Sequence, residues 1–144
     1  MKIKTIYQGT NKALCEKLNT QSRFIKAFQM DYPLGLLSKK GEIDLIILEA
    51  AEEYGNRFWL TEFFAKQLSE SHVLLFVICT TDTLAQYKKS GADGVFTFDT
   101  PIENIDTRIL LLQPFKANLR GTIANIKNHL TKLRKNEKET LTRR

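Results

Sequence analysis

Cysteine and histidine are scarce in this sequence, with two of each in 144 residues. Two isolated thiols, Cys15 and Cys79, do not make a disulfide framework, which predicts a reducing compartment and a cytoplasmic location. With only His72 and His129 beside them, the sequence offers too few clustered ligands for a zinc site. We therefore expect neither structural disulfides nor a bound metal.

Long apolar runs are also lacking. No stretch contains the roughly 20 consecutive apolar residues that a membrane-spanning helix needs. The first five residues alternate charged and apolar side chains, which is unlike a secretory signal peptide. We expect no membrane segment within this chain.

Glycine never forms a phosphate-binding cluster. The seven glycines are spread along the chain, and the sequence around Gly9 is typical of a turn rather than of a nucleotide-binding motif. No Ser-His-Asp or Cys-His arrangement is visible either. The residues alone therefore predict no cofactor and give no sign of a hydrolase triad.

Positive charge is confined to one region. The net charge is +6, but residues 116–144 carry nine lysines and arginines against two glutamates, which leaves the rest of the chain at −1. A basic surface over the whole domain, typical of nucleic-acid-binding proteins, is not indicated. Binding of nucleic acid by the basic tail stays open as an alternative, ranked below protein contacts because no Phe, Tyr or Trp follows Phe115.

Strand and helix patterns alternate along the first 113 residues. Residues 43–48 and 73–79 are apolar on both faces, which is typical of central strands in a parallel sheet. A helical pattern follows each strand, including a short helix expected to begin near Asp31 and Pro33 and to end before Gly41. The sequence predicts an α/β fold with a doubly wound parallel sheet. Its other three strands are expected at residues 3–7, 24–28 and 95–98.

Bulky apolar residues crowd the start of the helix that is predicted after Asn56. Phe58, Trp59, Phe63 and Phe64 cannot all face one side of a helix with 3.6 residues per turn. At least one of them is therefore expected to be exposed or to lie under a loop or a partner.

A different pattern begins after Pro114. Six apolar residues recur at spacings of three and four, with mainly basic and polar residues between them: Phe115, Leu119, Ile123, Ile126, Leu130 and Leu133. We predict a compact domain over residues 1–113 and a basic amphipathic helix or stalk over residues 114–144. Gly121 weakens this helix by about 1 kcal/mol relative to alanine, so the helix needs a partner. We call the six apolar residues the seam. Three alternatives are open: the seam pairs with a second copy, packs on the domain or leads to an output domain. We favour a homodimer.

The order of elements, residues 43–49 and the segment KKSGADGVF at residues 88–96 together resemble a response-regulator receiver domain. The resemblance covers residues 1–113 and implies a flavodoxin-like three-layer sandwich with strand order 2-1-3-4-5. It also implies a role in two-component signal transduction, with a C-terminal output domain or a partner protein. In that family the third strand ends in a phosphoacceptor aspartate, and two acids after the first strand hold Mg²⁺.

This chain departs from the family pattern at the phosphorylation site. The acid pair aligns with Gln8 and Gly9, neither of which offers a carboxylate to a metal, and the acceptor aligns with Glu49, which is one methylene longer than aspartate. In the family a Lys-Pro pair at the end of the fifth strand supplies a lysine that neutralises the phosphate. This lysine aligns with Phe98, or with Thr100 if Thr100 and Pro101 replace the pair. Of the family's site residues, only the hydroxyl at the end of the fourth strand is retained, at Thr80 or Thr81. The expected degenerate pocket consists of Gln8, Gly9, Glu49, Thr80, Thr81, Phe98 and Thr100.

The resemblance therefore implies a pseudo-receiver, which keeps the fold and has lost the phosphorylation chemistry. We expect Glu49 to be a solvated carboxylate at the strand end that accepts a hydrogen bond from Thr80. The alternative, a permanent mimic of phosphorylated aspartate, lacks a lysine partner. We expect a non-enzymatic regulatory module that acts by protein–protein contact, as the N-terminal part of a larger bacterial protein. Two alternatives stay open: an atypical response regulator phosphorylated on Glu49, and a regulatory domain that binds nucleic acid.

Overall fold

The structure, a computed structural model, describes residues 2–33, 35–39, 41–51 and 55–113. Its sheet has five strands in the order β2-β1-β3-β4-β5, and every neighbouring pair is parallel. This is the flavodoxin-like order, so the predicted fold class is confirmed. The strands are β1 Ile3–Gln8, β2 Ile25–Met30, β3 Leu45–Ala50, β4 Leu74–Cys79 and β5 Gly94–Thr97.

The two most apolar strands lie inside the sheet. All residues of β3 and β4 are buried, because helices cover both of their faces. The edge strands β2 and β5 are buried less completely. Since the strands are parallel and closely in register, the carboxyl ends of β1, β3, β4 and β5 meet at one edge of the sheet.

Helices α1 (Lys12–Gln21) and α4 (residues 102–113) cover one face of the sheet. Asn11 caps α1, because its side chain accepts a hydrogen bond from the backbone N–H of Leu14 at 3.0 Å. Leu18 of α1 and Ile105 of α4 belong to the apolar core of this face. We call it the α1/α4 face.

Helices α2 (Phe58–Gln67) and α3 (Leu84–Tyr87) lie on the opposite face. Phe64 of α2 and Tyr87 of α3 pack there into a second apolar core. We call this the α2/α3 face.

One predicted helix does not form. Among the described residues between β2 and β3, the helical structure is a single 3₁₀ turn, Leu37–Lys39, where a helix was expected from Asp31 onward. Gly35 has a φ of 81°, which breaks a right-handed helix at that point. The prediction of a helix after every strand was therefore wrong for this connection.

The predicted seam from Phe115 to Leu133 and the rest of residues 114–144 lie outside the described residues. Their assignment as a stalk stays a prediction. Within the part of the chain that the structure describes, no helix combines the length and the apolar character that crossing a membrane requires.

Candidate functional site

The residues predicted for the degenerate pocket all lie at or just beyond the carboxyl ends of strands. Open α/β sheets bind their ligands at this edge. Gln8 and Glu49 are in β1 and β3, and the remaining five follow β1, β4 or β5: Gly9, Thr80, Thr81, Phe98 and Thr100.

Glu49 is a buried residue, with 1% of its surface exposed. The Tyr7 hydroxyl donates a hydrogen bond to Glu49 Oε1 at 2.6 Å, and the backbone N–H of Asn11 donates to the same oxygen at 3.2 Å. The backbone N–H of Thr10 donates to Oε2 at 3.0 Å. Both carboxyl oxygens are thus used within the chain, and Glu49 connects the end of β3 to the turn between β1 and α1.

The expectation of a solvated Glu49 bonded to Thr80 was wrong. The Thr80 hydroxyl lies 3.1 Å from the Thr83 hydroxyl instead, and Thr81 is exposed. The physical reason is that three donors lie beside the end of β1, where a glutamate side chain is long enough to reach them. Burying a carboxyl group is acceptable when its oxygens are hydrogen-bonded in this way.

Gly9 makes room for the Glu49 side chain. The pairing of Gln8 with Leu48 sets Gly9 beside Glu49. A Cβ atom on Gly9 would lie 2.5 Å from Glu49 Cβ and 2.6 Å from Glu49 Oε2, closer than real contacts allow. Glycine is required here for close approach.

Gln8 is buried as well, but its amide donates to the residue that follows β2 and not to Glu49. Its Nε2 donates to the backbone carbonyl of Asp31 at 2.8 Å. Its Oε1 has no hydrogen-bond partner among the residues that the structure describes.

The two candidates for the lysine position carry no positive charge and have structural contacts. Phe98 is half-buried and packs against the core of the α1/α4 face. The Thr100 hydroxyl accepts a hydrogen bond from the backbone N–H of Thr97 at 3.1 Å, which closes the turn after β5.

Arg57 is a site residue that the sequence reasoning missed. This buried side chain donates from Nη1 to the backbone carbonyl of Glu49 at 2.6 Å. Its backbone N–H donates to the Tyr87 hydroxyl at 3.0 Å, which joins β3, α2 and α3. The sequence offered one signal for Arg57. Its spacing of four and seven residues from Thr61 and Phe64 places it on the buried face of the same helix.

The receiver fold raises the question of Mg²⁺, which prefers carboxylate and phosphate oxygens in octahedral geometry. Gly9 has no side chain, the Gln8 amide binds Asp31, and both Glu49 oxygens accept hydrogen bonds from the chain. These residues do not fit a divalent metal. Across the described residues, no group of three or more His, Cys, Asp and Glu side chains is placed to hold a metal ion.

Sequence comparison finds no matching family model and no matching curated protein. Solved structures do match. The receiver domain of the Francisella response regulator 1452 is 17% identical, with a TM-score of 0.60, and the match covers 78% of this chain and 97% of that chain. A signal receiver domain of a putative LuxO repressor from Vibrio parahaemolyticus is 9% identical, with a TM-score of 0.60, covering 85% and 98%.

A third similar structure is the signal receiver domain of the putative response regulator NarL from Mycobacterium tuberculosis. It is 13% identical, with a TM-score of 0.57, and the match covers 78% of this chain and 97% of that chain. At such low identities the similarity shows the fold alone. This chain has the receiver-domain fold.

Proposed function

We propose that this chain is a non-catalytic pseudo-receiver, a regulatory module that acts through protein–protein contacts and is not switched by phosphorylation. The observation that carries the proposal is the buried Glu49 carboxyl group. It occupies the acceptor position, yet both of its oxygens accept hydrogen bonds from Tyr7, Thr10 and Asn11.

The geometry of Glu49 argues against phosphoryl transfer. A nucleophile must reach the phosphorus atom in line with the leaving group. A donor would have to break several hydrogen bonds and open the turn after β1 to reach Glu49. Neither a carboxylate pair for Mg²⁺ nor a lysine would then stabilise the transferred group. Gln8 and Gly9 stand at the acid positions, and Phe98 or Thr100 stands at the lysine position.

The same hydrogen bonds give Glu49 a structural role. They hold β3, the end of β1 and the start of α1 together without metal or phosphate. The module therefore presents one constant surface, and its regulation comes from a partner or from an attached output domain.

Thermal unfolding with receiver ligands tests this proposal. A ligand that binds the folded state at 100 times its Kd stabilises it by about 2.7 kcal/mol. We expect Mg²⁺, alone or with beryllofluoride as a phosphoryl mimic, to leave the Tm of the full chain unchanged. A higher Tm with both additions, absent in Glu49→Gln, would contradict the proposal.

Homodimerisation through the seam from Phe115 to Leu133 is part of the proposed function, as is a cytoplasmic location. The regular spacing of six apolar residues in a basic segment supports the homodimer. The two isolated cysteines support the location. We expect the full chain to be a dimer by gel filtration with light scattering, and Ile126→Lys to convert it to a monomer. A monomeric wild-type chain would remove this part of the proposal.

A further inference from the structure

The outward face of α2 is apolar and exposed. Trp59 and Phe63 lie one turn apart, with 68% and 46% of their surfaces exposed, whereas Phe64 on the inner face is buried. This confirms the prediction that the aromatic residues of this helix do not all fit into the core. Adjacent exposed aromatic side chains of this size mark contact surfaces in soluble domains.

Helix α2 has a helical neighbour on one flank. There the Phe58 ring lies 6.3 Å from the Tyr87 ring of α3. A Cβ on Gly91, which follows α3, would lie 3.2 Å from Ala65 Cβ, so this flank is closely packed.

The opposite flank is less covered. The connection between β2 and β3 provides a 3₁₀ turn there instead of a helix. Phe28 of β2 pairs with Ile6, which belongs to the core of the α2/α3 face, so Phe28 lies on that face and is 52% exposed. An exposed aromatic side chain thus also lies on the edge strand of this face, beside the connection whose described residues form a 3₁₀ turn.

The charges beside the aromatic residues make the surface complementary to itself. Glu62 is half-buried and Lys66 is exposed, one turn apart on α2. Glu62 and Lys66 form no salt bridge with each other or with another residue within the described ranges, where the one contact between a carboxylate and a basic side chain joins Asp44 and His72. If a second copy of α2 packs antiparallel with its two-fold axis near Phe63, each Glu62 faces the Lys66 of the other copy. A two-fold interface requires such self-complementarity.

We propose that Trp59, Glu62, Phe63 and Lys66 form an interface that packs antiparallel against the same four residues of a second copy. We call these residues the α2 patch. A pair of short helices buries too little surface for a stable dimer by itself. The proposed dimer seam from Phe115 to Leu133 would bring two copies together and raise the effective concentration of the two patches. The inference deepens the proposed contact function but does not depend on whether Glu49 accepts phosphate.

Charge exchange on the full chain tests the pairing. In Glu62→Lys two lysines face each other across the interface, and in Lys66→Glu two glutamates do. Because of the two-fold symmetry, each variant creates two such repulsive pairs in the dimer. We expect each single variant to raise the dimer Kd about tenfold or more in analytical ultracentrifugation. The double variant restores opposite charges across the interface, and we expect its Kd to return toward the wild-type value. Equal Kd values for all four proteins, or a double variant as weak as the single ones, would overturn the pairing.

Oxidative crosslinking gives a second, independent measurement. Cys15 and Cys79 are buried, so an exposed thiol introduced by mutation is the one available for oxidation. We expect Phe63→Cys to form a disulfide-linked dimer, because residue 63 lies near the axis. The control is Leu110→Cys on α4, where the native leucine is exposed to a similar degree. No crosslink at position 63, or equal crosslinking at both positions, would overturn the proposal even if the seam still holds a dimer.

Discussion

The two faces of the sheet differ in how completely helices cover them and in which side chains remain exposed. On the α1/α4 face the polar groups at the ends of the sheet are buried and bonded within the chain. Glu49 is held at one end, and at the other Asp106 of α4 accepts hydrogen bonds from the Ser22 hydroxyl and from the backbone N–H of Arg23. On the α2/α3 face the described residues between β2 and β3 form a 3₁₀ turn in place of a helix, and large aromatic side chains are exposed.

The two faces differ in which polar and apolar groups they leave exposed. In a receiver, chemistry takes place at the sheet edge where Glu49 lies here. In this chain the Glu49 carboxyl group at that edge is buried and hydrogen-bonded within the fold, while exposed aromatic side chains lie across the sheet on α2. This division supports the proposed contact function, and the variants below test it.

The largest effect is expected from the removal of Glu49. Glu49→Ala leaves the Tyr7 hydroxyl and two backbone N–H groups without their acceptor, and unsatisfied buried donors are costly. We expect a loss of about 3 kcal/mol in the free energy of unfolding, measured by urea denaturation. The matched change of an exposed carboxyl group outside the α2 patch, Glu103→Ala on α4, should cost less than about 0.5 kcal/mol. Equal losses would show that the two carboxyl groups do not differ in role.

A smaller loss is expected when Gly9 is enlarged. Gly9→Ala forces Glu49 out of its position, so we expect a cost of about 2 kcal/mol in the free energy of unfolding. Gly41→Ala is the control, because a Cβ there would meet no atom within 4 Å. In the Glu49→Gly background, which removes Glu49 Cβ as well as the carboxyl group, the same Gly9→Ala change should cost much less, since the clash is gone. If the losses in the free energy of unfolding from the two single changes simply add in the double variant, the two residues are not in contact.

The smallest effect concerns the two thiols, one on each face. Burial raises the pKa of Cys15 above its ordinary value of 9.0, and the nearby Glu16 adds to this effect. Burial also raises the pKa of Cys79, although a hydrogen bond with Thr83 partly opposes it. The folded chain therefore favours the neutral thiols. The stability that depends on them is complete below pH 9.0 and is lost as the pH rises through the folded-state pKa values.

The measurement for the thiols is urea denaturation at a series of pH values. We expect the wild-type chain to lose more stability above pH 9.0 than a variant with Cys15→Ala and Cys79→Ala. Parallel curves for the two proteins would show that the thiols ionise as easily in the folded chain as in the unfolded one.

The sequence was sufficient for the sheet but not for every connection. Residues 43–48 and 73–79 have no polar alternation, and this pattern correctly predicted two central parallel strands. The helix expected after Asp31 failed because the prediction used its starting signals and passed over Gly35, whose positive φ interrupts a helix. A tendency to begin a helix does not establish that enough apolar residues follow to hold it.

The surroundings of Glu49 were beyond the reach of sequence patterns. Its position at a strand end was predicted, but its hydrogen-bond donor Tyr7 lies 42 residues away along the chain. The decisive signal was Gly9, which permits a side chain from the neighbouring strand to cross the end of β1. Only the register of β1 against β3 shows which side chain uses that space.

The proposal that Glu49 does not accept a phosphoryl group is tested most directly by the intact mass of the full chain after incubation with Mg²⁺ and a small-molecule phosphodonor. We expect the mass to remain unchanged, because both Glu49 oxygens are held inside the fold. A mass increase of one phosphoryl group that disappears in Glu49→Gln would contradict the account.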